Sequence, residues 1–166
     1  DALMKGKIQP SIQSLPRELN LPKDRMLRIR SLRELGQPHS NQKQEANITI
    51  KDDAPYVLKG TSGDTMELEI TFTVPSSSEL GVRVLCGEDG NNGFTITTGS
   101  MRKTPTVGYI KPPFELKQGK YLILRVFIDK SMVEVFTTTA RPPSRGMSTI
   151  QKITTSAYSA KMVMLR

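Results

Sequence analysis

The 166-residue chain has no tryptophan, one cysteine, one histidine and few aromatic residues, 5% in all. Each shortage removes a class of explanation. A single thiol, Cys86, excludes an internal disulfide, so the fold has to rest on packing. One imidazole, His39, beside one thiol excludes a zinc centre of His and Cys, which needs about four clustered ligands. No apolar run approaches the ~18 residues that cross a bilayer as a helix, so no membrane partner is read. The strings G-x-S-x-G and H-E-x-x-H and the phosphate-cradling glycine loop are missing, and no cofactor is expected. No secretion leader is read either. Asp1 is taken as a processing boundary, which leaves the compartment open.

What remains is a chain long enough to bury about 70% of its unfolded surface as one domain. Its 24 Lys and Arg against 16 Asp and Glu give a formal net charge of +8. The basic residues are spread along the chain, which describes a solvated basic surface. A nucleic-acid partner would require a clustered basic face with aromatics for stacking, and none is read.

The apolar pattern is that of strands. Tyr121 to Phe136 (YLILRVFIDKSMVEVF) holds two β-rich runs around a polar Asp129-Lys130 pair and reads as a hairpin apolar on both faces, as in the centre of a packed sheet. A two-residue turn at Asp129-Lys130 would pair Ile128 with Ser131, Val126 with Val133 and Arg125 with Glu134, bringing the two lone charges of the stretch together. Thr65 to Val74 alternates strictly, with Met66, Leu68, Ile70 and Phe72 on one side and Glu67, Glu69, Thr71 and Thr73 on a side expected to be wet. Leu80–Cys86 and Phe94–Thr98 are further strands, and Glu45–Lys51 is another through Ala46, Ile48 and Ile50. Met101–Pro113 reads as irregular apart from Val107–Ile110, and a loop is expected from Thr137 to Gly146. Short strands at Met147–Ile153, Thr155–Tyr158 and Lys161–Leu165 close the chain. In Met26–Leu35, Leu27 and Ile29 alternate with Arg28 and Arg30 as in a strand, Leu32 and Leu35 fit the start of a helical turn as the alternative, and Gly36-Gln37-Pro38 closes the element. Three prolines, Pro10, Pro16 and Pro22, make residues 1–24 an extended lead-in segment, with the main domain at 25–166. Ten to twelve short strands with regular turn signals predict an all-β, two-sheet antiparallel sandwich of the lectin-like jelly-roll kind. Its expected core is Met66, Leu68, Ile70, Phe72, Leu124, Val126, Val133 and Val135.

Acidic pairs are the natural place to look for chemistry, because glycosidases work with two carboxylates. Glu67 and Glu69 sit at period two on one strand face and read as solvated. Glu88-Asp89 lies in a Gly/Asn turn that matches no calcium-loop spacing. Asn47-Ile48-Thr49 is a glycosylation sequon, usable at Asn47 only in a secreted eukaryotic protein.

Two stretches carry a family resemblance. Ser14–Leu21 (SLPRELNL), followed by Leu27-Arg28-Ile29-Arg30 and Leu32-Arg33-Glu34-Leu35, is similar to the segment leading from the catalytic propeller into the C-terminal domain of glycoside hydrolase family 32. That family contains invertases, levanases and inulinases. Leu124–Phe136 (LRVFIDKSMVEVF) resembles its LRVFVDRSVVEVF signature. The chain departs from the family at Thr137–Pro143, where an Ala-Asn-Asp-Gly-Arg turn is usual. It also lacks the WMNDPNG-like, RDP and EC strings that carry the family's nucleophile, transition-state stabiliser and acid/base. The resemblance implies a β-sandwich accessory domain without the propeller that does the chemistry. Its partner would be that propeller, with fructan or sucrose as a ligand and a homodimer as a further arrangement; an extracellular setting is slightly favoured. The competing expectation is a free-standing fructan-binding module. For that reading the candidate residues are Glu134, Arg125, Asp129 and Tyr109: carboxylates accept from sugar hydroxyls, arginine donates to them, and tyrosine offers a flat face with a hydroxyl.

Overall fold

Strict alternation in two nine-residue segments organises the molecule. The computed structural model describes residues 13–36, 42–50, 55–58, 61, 63–73, 79–87, 90–99, 102–110, 121–130, 132–140, 150–156 and 161–165. Its strands are β1 (Arg17–Asn20), β2 (Arg28–Ser31), β3 (Lys43–Glu45), β4 (Tyr56–Val57), β5 (Thr65–Thr73), β6 (Glu79–Cys86), β7 (Phe94–Gly99), β8 (Arg102–Val107), β9 (Tyr121–Asp129), β10 (Met132–Ala140), β11 (Ile150–Ser156) and β12 (Lys161–Leu165). The chain forms two compact units, 1–37 and 38–166.

The larger unit is a sandwich of two five-stranded antiparallel sheets, ordered β10-β9-β5-β11-β3 and β4-β12-β6-β7-β8. β5 and β9 pair along their whole length, from Thr65 opposite Asp129 to Thr73 opposite Tyr121. Period two then sends Met66, Leu68 and Ile70 inward from β5, and Leu122, Leu124, Val126 and Ile128 inward from β9. They pack on Val82 and Val84 of β6 and Ile96 of β7, with Ile48, Ile50 and Leu58 completing the core. Val133 and Val135 of β10 are half-buried against this cluster, as expected of an edge strand. The side chain of Phe72 lies outside the described part of the structure.

Several expectations are corrected. The β9–β10 hairpin does not turn at Asp129-Lys130: Asp129 stays in the ladder, opposite Met132 on one side and Thr65 on the other. Lys130 takes the left-handed conformation (φ 53°), and its N–H donates to the Asp64 carbonyl. Arg125 therefore faces Phe136, and Glu134 faces Phe127. β10 continues to Ala140, through the threonines read as a loop, because each of them finds a partner on β9. Ile48 and Ile50 are buried as their alternation suggests, but they leave the strand, since Asn47 bends the chain at φ 56°. The strand near Val107 precedes it instead of following it. β8 tolerates Pro105 because it is an edge strand. Residues 150–156 form one continuous strand where two were read.

A hydrogen bond joins the two sheets at their margins. Tyr56 on β4 donates its hydroxyl to Glu45 on β3 at 2.6 Å. Each of these strands is the outermost of its sheet, so the bond closes one side of the sandwich.

The smaller unit holds the antiparallel β1–β2 hairpin and a 3-10 turn at Arg33–Gly36. The Arg25 N–H donates to the Pro22 carbonyl at 2.9 Å, with Arg25 left-handed at φ 58°. Asp24 accepts from the Met26 N–H at 3.1 Å and pairs with Arg28. Arg33 reaches back to Glu18 through two donors, Nη2 at 2.9 Å and Nε at 3.2 Å. That pairing holds the Glu18 carboxyl below its ordinary range, first by the Arg33 hydrogen bond and then by its charge, and raises Arg33.

Candidate functional site

The outward side of the β10-β9-β5 ribbon is where sequence and structure together place unusual chemistry. On β5 the outward residues are Glu67, Glu69 and Thr71, an ordinary polar face. On β9 and β10 the same side carries Ile123, Arg125, Phe127, Met132, Glu134 and Phe136. Three of these residues and Glu67 interlock. The Arg125 guanidinium lies 4.9 Å from the centre of the Phe127 ring. Phe127 meets Phe136 edge to face, with centroids 5.8 Å apart and planes at 90°. Arg125 Nε donates to Glu67 Oε1. The paired side chains are only 21% and 12% exposed, which corrects the wet face expected at Glu67. The Phe127 ring against the guanidinium shields one side of Arg125 from water. At the start of β9, Tyr121 is buried although its register points it to the same side.

Arg125 and Glu134 therefore share a face, although not as opposed partners. Asp129 sits at the exposed end of β9 beside the turn. Tyr109 is elsewhere, on the second sheet. Val107 and Ile110 exchange two 2.9 Å hydrogen bonds, which makes Gly108-Tyr109 a tight turn after β8 with Tyr109 fully exposed. Gly108 is left-handed at φ 57°, and a Cβ there would lie 2.8 Å from the Phe94 ring, so the turn requires glycine. Asn47 is exposed on its bend. Glu88 and Asp89 lie outside the described residues. Among the described residues, no group of three or more His, Cys, Asp and Glu is placed to hold a metal ion.

Sequence reasoning missed Glu67, Phe127 and Phe136 as members of the cluster. Parity alone puts the two phenylalanines on the Arg125 side. Finding Glu67 requires knowing that β5 is the neighbour of β9, a contact between residues 58 positions apart.

Comparison with known proteins adds an independent line. The family described as glycosyl hydrolases family 32 C terminal matches residues 28–141. Levanase from Bacillus subtilis (strain 168) is 32% identical over 145 residues, a match covering 76% of this chain and 21% of that enzyme. Sucrose-6-phosphate hydrolase from Lactobacillus gasseri superposes with a TM-score of 0.53 at 17% identity, over 90% of this chain and 33% of that one. Fructan 1-exohydrolase IIa from Cichorium intybus gives 0.50 at 15% identity, over 92% and 40%. The chain thus spans about a fifth to two-fifths of the length of these relatives.

Proposed function

Because this chain belongs to the C-terminal domain family of glycosyl hydrolases 32, we propose that it is the non-catalytic β-sandwich of an enzyme that hydrolyses fructosyl linkages. Its role in that enzyme is to brace the catalytic domain. The observation that carries this reading is that four of its carboxylates are tied to side chains on its own strands and turns. Glycoside hydrolysis needs an acid and a base or nucleophile held about 5–10 Å apart across a cleft. Here Glu67 is engaged by Arg125, and Glu45 by Tyr56. In the hairpin, Glu18 is engaged by Arg33 and Asp24 by Arg28. Carboxylates used in this way hold strands and turns together. Aromatic rings locked on an arginine lose little side-chain entropy on contact, a property that suits a docking surface.

Purified residues 1–166 are expected to release no reducing sugar from sucrose, inulin or levan. Turnover above a no-protein blank that survives repurification would overturn the reading.

A second reading is favoured by the same face: rings beside an arginine and carboxylates are also the groups that hold sugars. On it, Arg125 and Glu134 would contact a fructan end, with Asp129 and Tyr109 as more distant contributors. Calorimetric titration with fructose, sucrose, inulin and levan tests it, and an absence of heat with all four removes it.

A further inference from the structure

We propose that Asn92 is a site of spontaneous deamidation: the Gly93 backbone nitrogen displaces its side-chain amide, and the loop between β6 and β7 gains a carboxylate as the protein ages. The change needs no partner and is independent of the accessory-domain reading. Asn92-Gly93 is the one Asn-Gly pair in the sequence. The fold itself calls for both residues. Asn92 stands at φ 58°, a left-handed backbone that glycine and asparagine adopt most readily. Gly93 fits because it has no side chain. A Cβ there would lie 2.6 Å from the Val84 carbonyl oxygen, 2.7 Å from Arg83 Cγ and 2.8 Å from Cys86 Cβ. The first of these atoms is main chain of β6 and cannot swing aside.

The rest of the loop is pinned, and this pair is not. Arg83 Nη1 donates to the Gly90 carbonyl at 2.9 Å and Arg83 Nε to Thr95 Oγ1 at 3.3 Å. The Gly87 N–H donates to the Asn91 carbonyl at 2.8 Å. Asn92 is exposed, and among the described residues the Gly93 N–H has no backbone hydrogen-bond partner. Once that nitrogen gives its proton to a solvent base, it can attack Asn92 Cγ. The new C–N bond forms, the bond from Cγ to the amide nitrogen breaks, and ammonia leaves behind a cyclic imide. Water then opens the imide. Cleavage of the bond to Cγ gives an aspartate; cleavage of the bond to the main-chain carbonyl carbon gives an isoaspartate, with the chain routed through the former side chain. Nothing is oxidised or reduced. Either product puts a negative charge beside the glycine that packs on the Arg83 stem. Asn47 supplies the contrast within the same chain. It too is exposed and left-handed, at φ 56°, but Ile48 follows it, and that buried, β-branched side chain shields the nitrogen from attack.

Peptide mapping of the aged protein tests this. Residues 1–166 are kept folded in mildly alkaline buffer and sampled over time, and trypsin then releases residues 84–102 as one peptide for sequencing by mass spectrometry. Loss of the amide at Asn92 should appear before loss at any other asparagine, as two products of equal mass and different retention, one of them isoaspartyl. Its rate should rise in proportion to hydroxide, because the attacking nitrogen has to lose a proton. Asn47 should keep its amide over the same period. Asn92→Gln, whose longer side chain places the amide carbon out of easy reach, should remain unconverted at that position. The proposal fails if the folded chain keeps Asn92 intact while the urea-unfolded chain converts it, since the fold would then protect the pair. It fails equally if Asn47 or Asn91 converts first, or if Asn92→Gln gains the acid as fast as the wild type.

Discussion

Replacing Glu67 by Gln, Arg125 by Met, and both together tests whether the outward ion pair behaves as a buried or a surface interaction. The exposures, 12% and 21%, place it much nearer the first. Breaking a fully buried pair by removing one partner costs about 3–5 kcal/mol, since the remaining charge stays desolvated. Exposed pairs are worth about 0.2–1 kcal/mol. With this residual exposure, Glu67→Gln should cost about 2 kcal/mol. Arg125→Met should cost more, because it also removes the cation over Phe127, a contact worth ~0.5–1 kcal/mol. The double variant should cost less than the sum of the two singles, with a coupling of about 1–2 kcal/mol. Urea denaturation reads the free energies directly. In a thermal melt each kcal/mol appears as roughly 4 °C for a unit of this size. Raising the salt to 1 M should change the wild-type value little, because screening acts mainly on exposed charges. Single-variant costs both under ~0.5 kcal/mol, with no coupling, would show an ordinary surface pair and refute the argument.

Other outcomes follow from the same geometry. Leu68→Ala, at a fully buried position of β5, should lower stability by about 2–5 kcal/mol in urea denaturation. Tyr56 has its pKa raised, first by donating to Glu45 and then by burial, so the neutral hydroxyl is the form the fold favours. Its contribution is fully present below the unfolded tyrosine value of about 10 and is lost as pH rises through the folded value. The melting temperature should therefore fall more steeply from pH 9 to 11 in wild type than in Tyr56→Phe. Glu18 runs the other way. Its lowered pKa makes the hairpin contribution present above the unfolded carboxyl value of about 4.3 and lost as pH falls through the folded one. An NMR titration should place its midpoint below that of Glu18 in Arg33→Ala.

How much of this was legible depended on whether the signal was local. The alternation Met66-Leu68-Ile70 sufficed for a strand and its buried side, because parity is a property of consecutive residues. β8 was obscured because Pro105 and its basic neighbours give an edge strand no periodicity to show. The run through Ile48 and Ile50 misled in the opposite way, since two alternating buried residues can also be delivered by an irregular segment turning at Asn47. The Arg125–Glu67 contact could not be read at all. It depends on which strand lies beside β9, and the order β10-β9-β5 is decided by the packing of the whole sandwich.

The hairpin register shows why a fold can be read correctly while its contacts are not. The register that a turn at Asp129-Lys130 would give and the observed one, with Asp129 opposite Met132, differ by two positions in the partner assigned to each β9 residue. Side chains repeat with period two, so a slip of two leaves every residue on the face it already had. Leu124, Val126, Val133 and Val135 point into the core in either register, and Arg125 and Glu134 point outward in either. Hydrophobic burial is therefore indifferent between the two alignments and cannot select one. What separates them is local. Thr65 to Thr73 matches Tyr121 to Asp129 residue for residue, and this full-length ladder holds Asp129 in the strand and passes the turn to Lys130, which meets the Asp64 carbonyl. That small shift sets Phe136 opposite Arg125 and Phe127 opposite Glu134, and the ring edge, the cation and the Glu67 carboxylate then close on one another. The sandwich depends on parity, whereas the outward surface depends on register.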